Sequence, residues 1–435
     1  MIALANSWTQ KLTLLGTNHK RAPIEVREKL WCKPETLTTK LSSIIKQAKG
    51  IEEVVILSTC NRTEIYSVSS SDHEISTYIE RALSEWSGIP SSTIGRYLYV
   101  LTGEDAVRHL IAVASGLDSL VVGEPQVQEQ VRLASKAASR AGTNGRFLSE
   151  LFKRADKSAD SVRKQSGLET ERVSVGSAVA AMLKDLTKEH PIETVLLVGA
   201  GKMISLAAED FSAFPGMQVW VANRTIERGQ NLAERFGGHG IPLDDIPKTL
   251  SSVDAVLTCT SSADYVVDEM ELQKAIVDRD GKELIVVDIA VPRNVNPTAN
   301  RIPGLKVYNI DDLAPFLEKQ EKSYEPKIER AQQLAREQAE SFFAYMRSYE
   351  ATDTLKDLRN MAETIREQEL SRALRKLGDI SVREKEILDL LTRRIINKLL
   401  YEPSIRLKAH ASNGDGENYE SVVRDLFDMG RRTEE

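Results

Sequence analysis

The stretch Thr194–Ile204, TVLLVGAGKMI, leaves the fewest options for the fold. Its apolar, β-branched run reads as a parallel strand buried on both faces, and it feeds directly into Gly199-Ala200-Gly201 and a helical pattern through Phe211. In that setting the first glycine permits the tight turn and the second lets a pyrophosphate approach the helix N-terminus. Ile204 stands where a third glycine is usual. Further apolar runs at Gln218–Ala222, Asp254–Cys259, Leu284–Ile289 and Lys306–Asn309 alternate with helical segments, which predicts a doubly wound, Rossmann-type parallel sheet. Gly199, Ala200, Gly201, Lys202, Met203 and Ile204 are then the expected dinucleotide loop. The second strand ends in Asn223-Arg224-Thr225, where an NAD site would carry Asp or Glu for the ribose 2′-hydroxyl. An arginine and a hydroxyl suit a 2′-phosphate, which a carboxylate repels, so Asn223, Arg224 and Thr225 point to NADPH.

A second constraint lies upstream, in Glu52–Val68 (EEVVILSTCNRTEIYSV). Two β-branched runs flank a polar Ser58–Thr63 segment, the pattern of strand, tight loop and strand. Cys60 therefore falls on a strand-end loop, where partial exposure and the nearby Arg62 cation favour a thiolate over the thiol, whose ordinary pKa is about 8.5. That makes Cys60 a candidate nucleophile, although a single cysteine is as often a small hydrophobe. With a strand at Leu12–Gly16, helices over 24–30, 34–47 and 72–86, and a strand at Tyr97–Leu101, this region reads as an α+β domain with an antiparallel sheet. His109 sits on an amphipathic helix beside it, a place where a lone histidine is more often a core or boundary residue. Residues 115–126 follow, dense in small and hydrogen-bonding groups; they read either as a loop that holds a polar ligand or as a helix end and a new start at Pro125. The following helix, Phe147–Lys164, carries Lys153, Arg154, Lys157, Arg163 and Lys164 and is the best local place for phosphate contacts.

Composition narrows the function classes. A net charge of −6 gives no global basic field for a nucleic acid, so any such contact is a local patch. Three scattered cysteines with no CxxC fit a reducing compartment and exclude a thiol zinc site of ordinary spacing. Residues 1–11 do not resemble a signal or transit peptide, so an imported protein would be the processed form. Beyond Asp311 the chain turns highly charged and helical, with apolar residues at three- and four-residue spacing through Leu399. Pro326 marks a kink or a first turn there, and residues 410–418 read as a loose loop. Such stripes must pack on each other or on a second copy. The expected organisation is a multi-domain α/β chain: an α+β domain over residues 1–165, a Rossmann-type NADP-binding domain over 170–312 and an all-α domain over 313–435.

Several ordered segments also carry a family resemblance. Leu15–Lys20 with Ala22-Pro23, Ser58–Glu64, Ala114–Ser119 with Gly123–Gln126, and Asp288–Arg293 together resemble the signatures of glutamyl-tRNA reductase, most closely the plant plastid form. The resemblance implies NADPH-dependent reduction of glutamyl-tRNA to glutamate-1-semialdehyde through a thioester on Cys60, the first committed step of tetrapyrrole (5-aminolevulinate, haem, chlorophyll) synthesis. It implies that His109 is important for activity, plausible as the group handling the proton of Cys60 or of the departing ribose oxygen. Thr59, Asn61, Arg62, Ser119, Glu124, Pro125, Gln126 and Gln130 match glutamate-binding positions, with Arg62 the obvious partner of the substrate's side-chain carboxylate, a role that competes with lowering the Cys60 pKa and is favoured over it. Further implications are a homodimer built on a long spine helix, regulatory binding proteins, haem feedback, a downstream aminomutase as neighbour, and a chloroplast stroma, or cytoplasm outside plants. Ala222–Thr225 after the glycine loop also resembles shikimate-type dehydrogenases, but that reading leaves Cys60 and the C-terminal helices unexplained. A non-catalytic nucleotide-sensing dimer is the third reading, and intact Cys60, Arg62 and His109 argue against it.

Overall fold

Arg62, Glu64 and Tyr66 alternate along one strand, and the period of two puts all three on one face of the sheet that carries Cys60. In the computed structural model, which describes residues 12–69, 75–170, 174–186, 192–212, 216–262, 264–378, 380–412 and 416–429, that sheet has four antiparallel strands in the order β2-β3-β1-β4. They are β1 (Leu12–Asn18), β2 (Ile51–Ser58), β3 (Arg62–Ser69) and β4 (Tyr99–Thr102). Register places Gly16 of β1 between Glu64 of β3 and Tyr99 of β4. A Cβ on Gly16 would lie 2.7 Å from the Thr63 carbonyl and 2.8 Å from Glu64 Cα and Cγ, so only glycine lets the Glu64 side chain cross β1. Helices α1 (Ile24–Leu30) and α2 (Pro34–Gln47) connect β1 to β2, and α3 (Ile75–Ser87) follows β3. The expected first residues of α3, from Asp72, lie outside the described residues, as does the segment 1–11.

Helix α4 (Gly103–Ala114) buries Ala106, Val107, Leu110 and Ile111 on one stripe. Glu104 and Asp105 occupy its first turn, where carboxylates complement the helix dipole. α5 (Gln126–Ala141) and α6 (Arg146–Ser166) then pack against the sheet and each other. Tyr66 meets Phe152 of α6 edge to face at 5.3 Å between centroids.

The second sheet is parallel, in the order β10-β9-β8-β5-β6-β7. Its strands are β5 (Thr194–Val198), β6 (Gln218–Ala222), β7 (His239–Ile241), β8 (Ala255–Thr258), β9 (Leu284–Asp288) and β10 (Leu305–Asn309). Five of them follow the expected runs closely. β7 was not expected: three residues containing Gly240 make too short an apolar run to register as a strand, and it forms by pairing with β6. Helices α7 (Val175–Leu186) and α8 (Lys202–Ser212) cover one face, and each face has its own buried cluster. One of those clusters also takes in Ile24, Leu120 and Val121 from the first domain, so the two α/β domains share a core.

The chain divides into two compact units, residues 1–336 and 337–435. Leu313 and Leu317, just past the expected 312/313 boundary, are buried in the nucleotide-domain cluster. The division between the units falls within α12 (Glu325–Leu377), one helix of 53 residues in the place of the long spine helix that the resemblance implied, with Pro326 in its first turn; α9 (Ile226–Glu234), α10 (Glu269–Val277) and α11 (Ala314–Glu321) precede it. In the second unit α13 (Val382–Ser412) and α14 (Gly416–Leu426) are tied to α12 by Arg366–Asp389 at 2.6 Å and Arg424–Asp357 at 2.9 Å. Of the loop expected over 410–418, residues 413–415 lie outside the described residues, and helix reaches to both sides of them. Ile387, Leu390, Leu391, Ile395 and Leu399 of α13 are each about half exposed or more, an apolar row that this chain does not cover. No helix of the described residues is long and apolar enough to cross a membrane. Replacing Gly16 by Ala forces backbone apart at the centre of the first sheet, and a loss of about 1–3 kcal/mol in chemical denaturation is expected; an unchanged midpoint would show that the strands can separate without cost.

Candidate functional site

The loop between β2 and β3 is closed on itself by Thr59. Its backbone N–H donates to the Arg62 carbonyl at 2.8 Å, and its Oγ1 accepts from the Asn61 and Arg62 amides at 3.1 Å each. Cys60 is left at the tip, half-buried. Two polar atoms beside it are buried with no hydrogen-bond partner, Asn61 Oδ1 and His19 Nδ1. Burial, then the Arg62 charge, hold His19 down to about 4, so its ring is neutral at physiological pH. Orphaned groups of this kind suit a polar ligand, since leaving them unpaired costs about 1–3 kcal/mol each.

Behind the loop lies a buried ion cluster. Arg62 Nη1 donates to Glu64 at 2.6 Å and to Asp118 at 3.1 Å, and Nη2 donates to the Asp118 carbonyl. Glu64, with no exposed surface, also accepts from the hydroxyls of Tyr66 and Tyr99 at 2.7 Å each and pairs with His109 Nε2 at 2.9 Å. Burial alone would raise the Glu64 carboxyl, but Arg62 and His109 outweigh it and hold it well below the carboxylate range. Lys20 Nζ completes the cluster on Asp118 at 2.6 Å. Two expectations change here. Arg62 is already committed to two carboxylates, and burial, followed by the Glu124 charge, pushes the Cys60 thiol up to about 11 against the pull of Arg27 and Arg62. His109 gives its Nε2 to Glu64 and stacks edge-on with Tyr99 at 5.7 Å, so it faces the cluster rather than the thiol.

The 115–125 loop forms the other wall. Gly116 takes φ +76°, its carbonyl accepts from the amides of Ser119 (3.4 Å) and Gly123 (3.0 Å), and a Cβ there would strike the Glu124 backbone at 2.9 Å. The Glu124 side chain is partly buried, its charge acts on Cys60, and the Lys202 charge acts on it. Burial pushes its carboxyl up to about 7, with Lys202 opposing. Gln126 Nε2 lies 3.0 Å from Met203 Sδ, which joins the expected substrate residues to the expected nucleotide loop. Ser119 and Gln130 are half-buried and Pro125 is exposed at the start of α5.

On the nucleotide side, Gly199 takes φ +113° and a Cβ there would meet the Cys259 carbonyl at 2.7 Å, whereas nothing lies within 4 Å of a Cβ on Gly201. Gly201 and Lys202 are exposed at the head of α8, so the cradle is open for a pyrophosphate. Ala200 is half-buried beside them, and Ile204 is wholly buried in the core, which limits its contribution to backbone. At the end of β6, Asn223 Nδ2 donates to the Thr225 carbonyl at 2.9 Å and Arg224 is exposed. Cys259 closes this side. Burial first, then the Cys60 charge, push its thiol up to about 12. Of the basic residues of α6, Lys153 and Arg154 pair with Glu150, and Arg163 is buried on Gln128 and Asp160, which weakens that helix as a phosphate site. Local pattern gives Glu64, Asp118, Tyr99 and His19 no role; the period-two spacing of Arg62, Glu64 and Tyr66 is the signal the sequence carries for the cluster.

Comparison with known proteins bears on the same regions. Family models match as Glutamyl-tRNAGlu reductase, N-terminal domain over residues 15–166, Shikimate / quinate 5-dehydrogenase over 181–316 and Glutamyl-tRNAGlu reductase, dimerisation domain over 330–429. Proteins named glutamyl-tRNA reductase from Syntrophotalea carbinolica and Acaryochloris marina are each 35% identical, covering 96% and 92% of this chain and 94% and 92% of their own. A solved structure of glutamyl-tRNA reductase from Methanopyrus kandleri is 28% identical, covers 94% of this chain and 99% of its own, and superposes with a TM-score of 0.49. These relatives do not show the expected closeness to the plant plastid form. Because ionised Glu124 disfavours the Cys60 thiolate, Glu124→Gln is expected to speed iodoacetamide labelling of Cys60 a few-fold above pH 8, read by peptide mass mapping. An unchanged rate would mean that this charge does not reach the thiol.

Proposed function

Because this chain belongs to the glutamyl-tRNA reductase family, we propose that it reduces glutamyl-tRNA to glutamate-1-semialdehyde through a thioester on Cys60, opening tetrapyrrole synthesis. The observation that supports this reading is the 3.0 Å contact of Gln126 Nε2 with Met203 Sδ, which joins the 115–126 segment to the nucleotide loop, together with the Glu124 charge acting on Cys60 and the Lys202 charge on Glu124. Glu124 takes the Sγ proton, the sulfur attacks the α-carboxyl carbon of the esterified glutamate, and the ester C–O bond breaks as the ribose oxygen recovers that proton. Moving a proton from a thiol at about 11 to a carboxylate at about 7 is uphill by roughly 5 kcal/mol. That fits inside the ~17 kcal/mol barrier of a reaction that turns over about once per second. Bound NADPH supplies the hydride that reduces the thioester carbon. Cleavage of the C–S bond then releases the aldehyde and returns the sulfur as thiolate, which is reprotonated.

Thr59, Asn61, Arg62, Ser119, Glu124, Pro125, Gln126 and Gln130 hold the glutamyl group. Its side-chain carboxylate takes the share of Arg62 that Asp118 holds in this structure, beside Lys20. His109 acts through Glu64, as a positioning residue for Arg62, in place of the expected handling of the proton of Cys60 or of the departing ribose oxygen. Gly199, Ala200, Gly201 and the first turn of α8, Lys202, Met203 and Ile204, receive the pyrophosphate, and Asn223, Arg224 and Thr225 the 2′-phosphate. The match to the family's dimerisation domain and the uncovered apolar row of α13 support a homodimer. By family analogy, regulatory binding proteins, haem feedback and the downstream aminomutase act on it, in a plastid stroma or, outside plants, in cytoplasm.

Semialdehyde is expected only when charged tRNA and NADPH are both supplied. Turnover of a free hydroxy acid would favour a shikimate-type enzyme, and binding without turnover a sensor. Cys60→Ser is expected to abolish reduction with NADPH affinity nearly intact; substantial residual rate would remove the thioester step. Arg224→Ala is expected to weaken NADPH by about tenfold to a hundredfold, the worth of one charged hydrogen bond, and NADH much less; equal losses would refute the 2′-phosphate assignment.

A further inference from the structure

The segment Asp288–Arg293 at the end of β9 has no part in the chemistry above, yet it is tightly built. Asp288, almost wholly buried, accepts from Thr258 Oγ1 at 2.8 Å and from the amides of Ala290 (3.1 Å), Asn294 (2.7 Å) and Val295 (2.9 Å). Asn294 Oδ1 in turn accepts from the Thr260 amide at 2.7 Å. Both ends of the loop are thus pinned to one strand end, and Arg293 is projected from between them. It reaches α1 of the thiol domain. Arg293 donates from Nε and Nη2 to the two oxygens of Glu28, at 3.1 and 2.7 Å, and from Nη1 to Glu25 at 3.0 Å.

The same short helix is gripped a second time. Arg27, 3% exposed, forks onto Asp311 at 2.9 and 3.1 Å, and Ile24 is buried in the nucleotide-domain cluster. Arg27 is also one of the charges acting on Cys60. Exposed ion pairs contribute little, but a bidentate arginine–carboxylate pair with both side chains mostly buried fixes an orientation. Helix α1 is therefore a handle by which the nucleotide-binding domain holds the thiol domain.

We propose that Arg293, through Glu28, is a positioning residue for hydride transfer, holding the sulfur-bound carbon against the nucleotide side of the cleft. The inference rests on the thioester reading of the preceding subsection. Acylation needs only Cys60, Glu124 and the substrate residues, all within residues 59–130, so the grip is not required for it. Reduction has to cross from one domain to the other, and there a displacement of about 1 Å can cost as much as a hundredfold in rate.

The test separates the two steps in the full-length protein. Without cofactor, acylation of Cys60 by glutamyl-tRNA is followed by mass spectrometry; without substrate or cofactor, closure is read as the yield of Cys60–Cys259 joined by a short bifunctional thiol reagent. Arg293→Ala is expected to leave acylation within about twofold, to lower the cross-link yield, and to slow semialdehyde formation at least about tenfold. The exchanged pair Arg293→Glu with Glu28→Arg is expected to recover cross-linking and reduction relative to either single change. Should Arg293→Ala fail to fold, Glu28→Gln carries the same expectation. Equal losses in acylation and reduction, no loss in either, or an exchanged pair no better than its singles would overturn the inference while leaving the thioester reading intact. An unsubstituted protein that never acylates Cys60 would overturn that reading, and the inference with it.

Discussion

Glu64 has no exposed surface, yet it remains ionised because Arg62, Tyr66, Tyr99 and His109 converge on its two oxygens. A buried carboxylate without such partners would be neutral, and removing one partner of a buried pair typically costs about 3–5 kcal/mol. Strand β3 begins at Arg62, so the same pairing that keeps the charge stable also fixes the residue next to the reactive loop. Gly16 makes the arrangement possible by leaving a gap in β1 through which the carboxylate meets Tyr99 on the far side. Stability and reactivity are coupled at this point: loosening the cluster moves Arg62, and with it the closure of Thr59 around Cys60.

The cleft in front of that cluster is assembled from two domains whose contact is partly apolar and partly ionic. Ile24, Leu120 and Val121 enter the nucleotide-domain core, which brings Glu124 and Gln126 beside Lys202 and Met203. Apolar burial alone is non-directional. The forked pairs Arg27–Asp311 and Arg293–Glu28 add the orientation it lacks.

Much of this arrangement could be read in the chain before folding. The nucleotide domain was legible because a buried parallel strand, a glycine loop and four later strands each carry a local signal, and Cys60 was legible because two β-branched runs enclose it. The residue pattern beyond Asp311 announced only several long helices, because polar stretches interrupt the apolar spacing of the 53-residue helix, and it was the family resemblance that implied a single long spine. The charge state of Cys60 was only partly legible, the resemblance having favoured Arg62 as the substrate's partner over the thiol's activator. Sequence proximity suggested Arg62 as its activator, but a cation's effect depends on who else holds it, and Glu64 and Asp118 are set by strand register and by a loop some 56 residues away. Burial, invisible in the sequence, then decided the sign.

Keeping the sulfur protonated has a protective side. Peroxides convert thiolates, not thiols, into sulfenic and then irreversible sulfinic acids. Burial holds the Cys60 thiol up to about 11, which keeps the vulnerable anion scarce at neutral pH and makes the resting sulfur a poor target for oxidants.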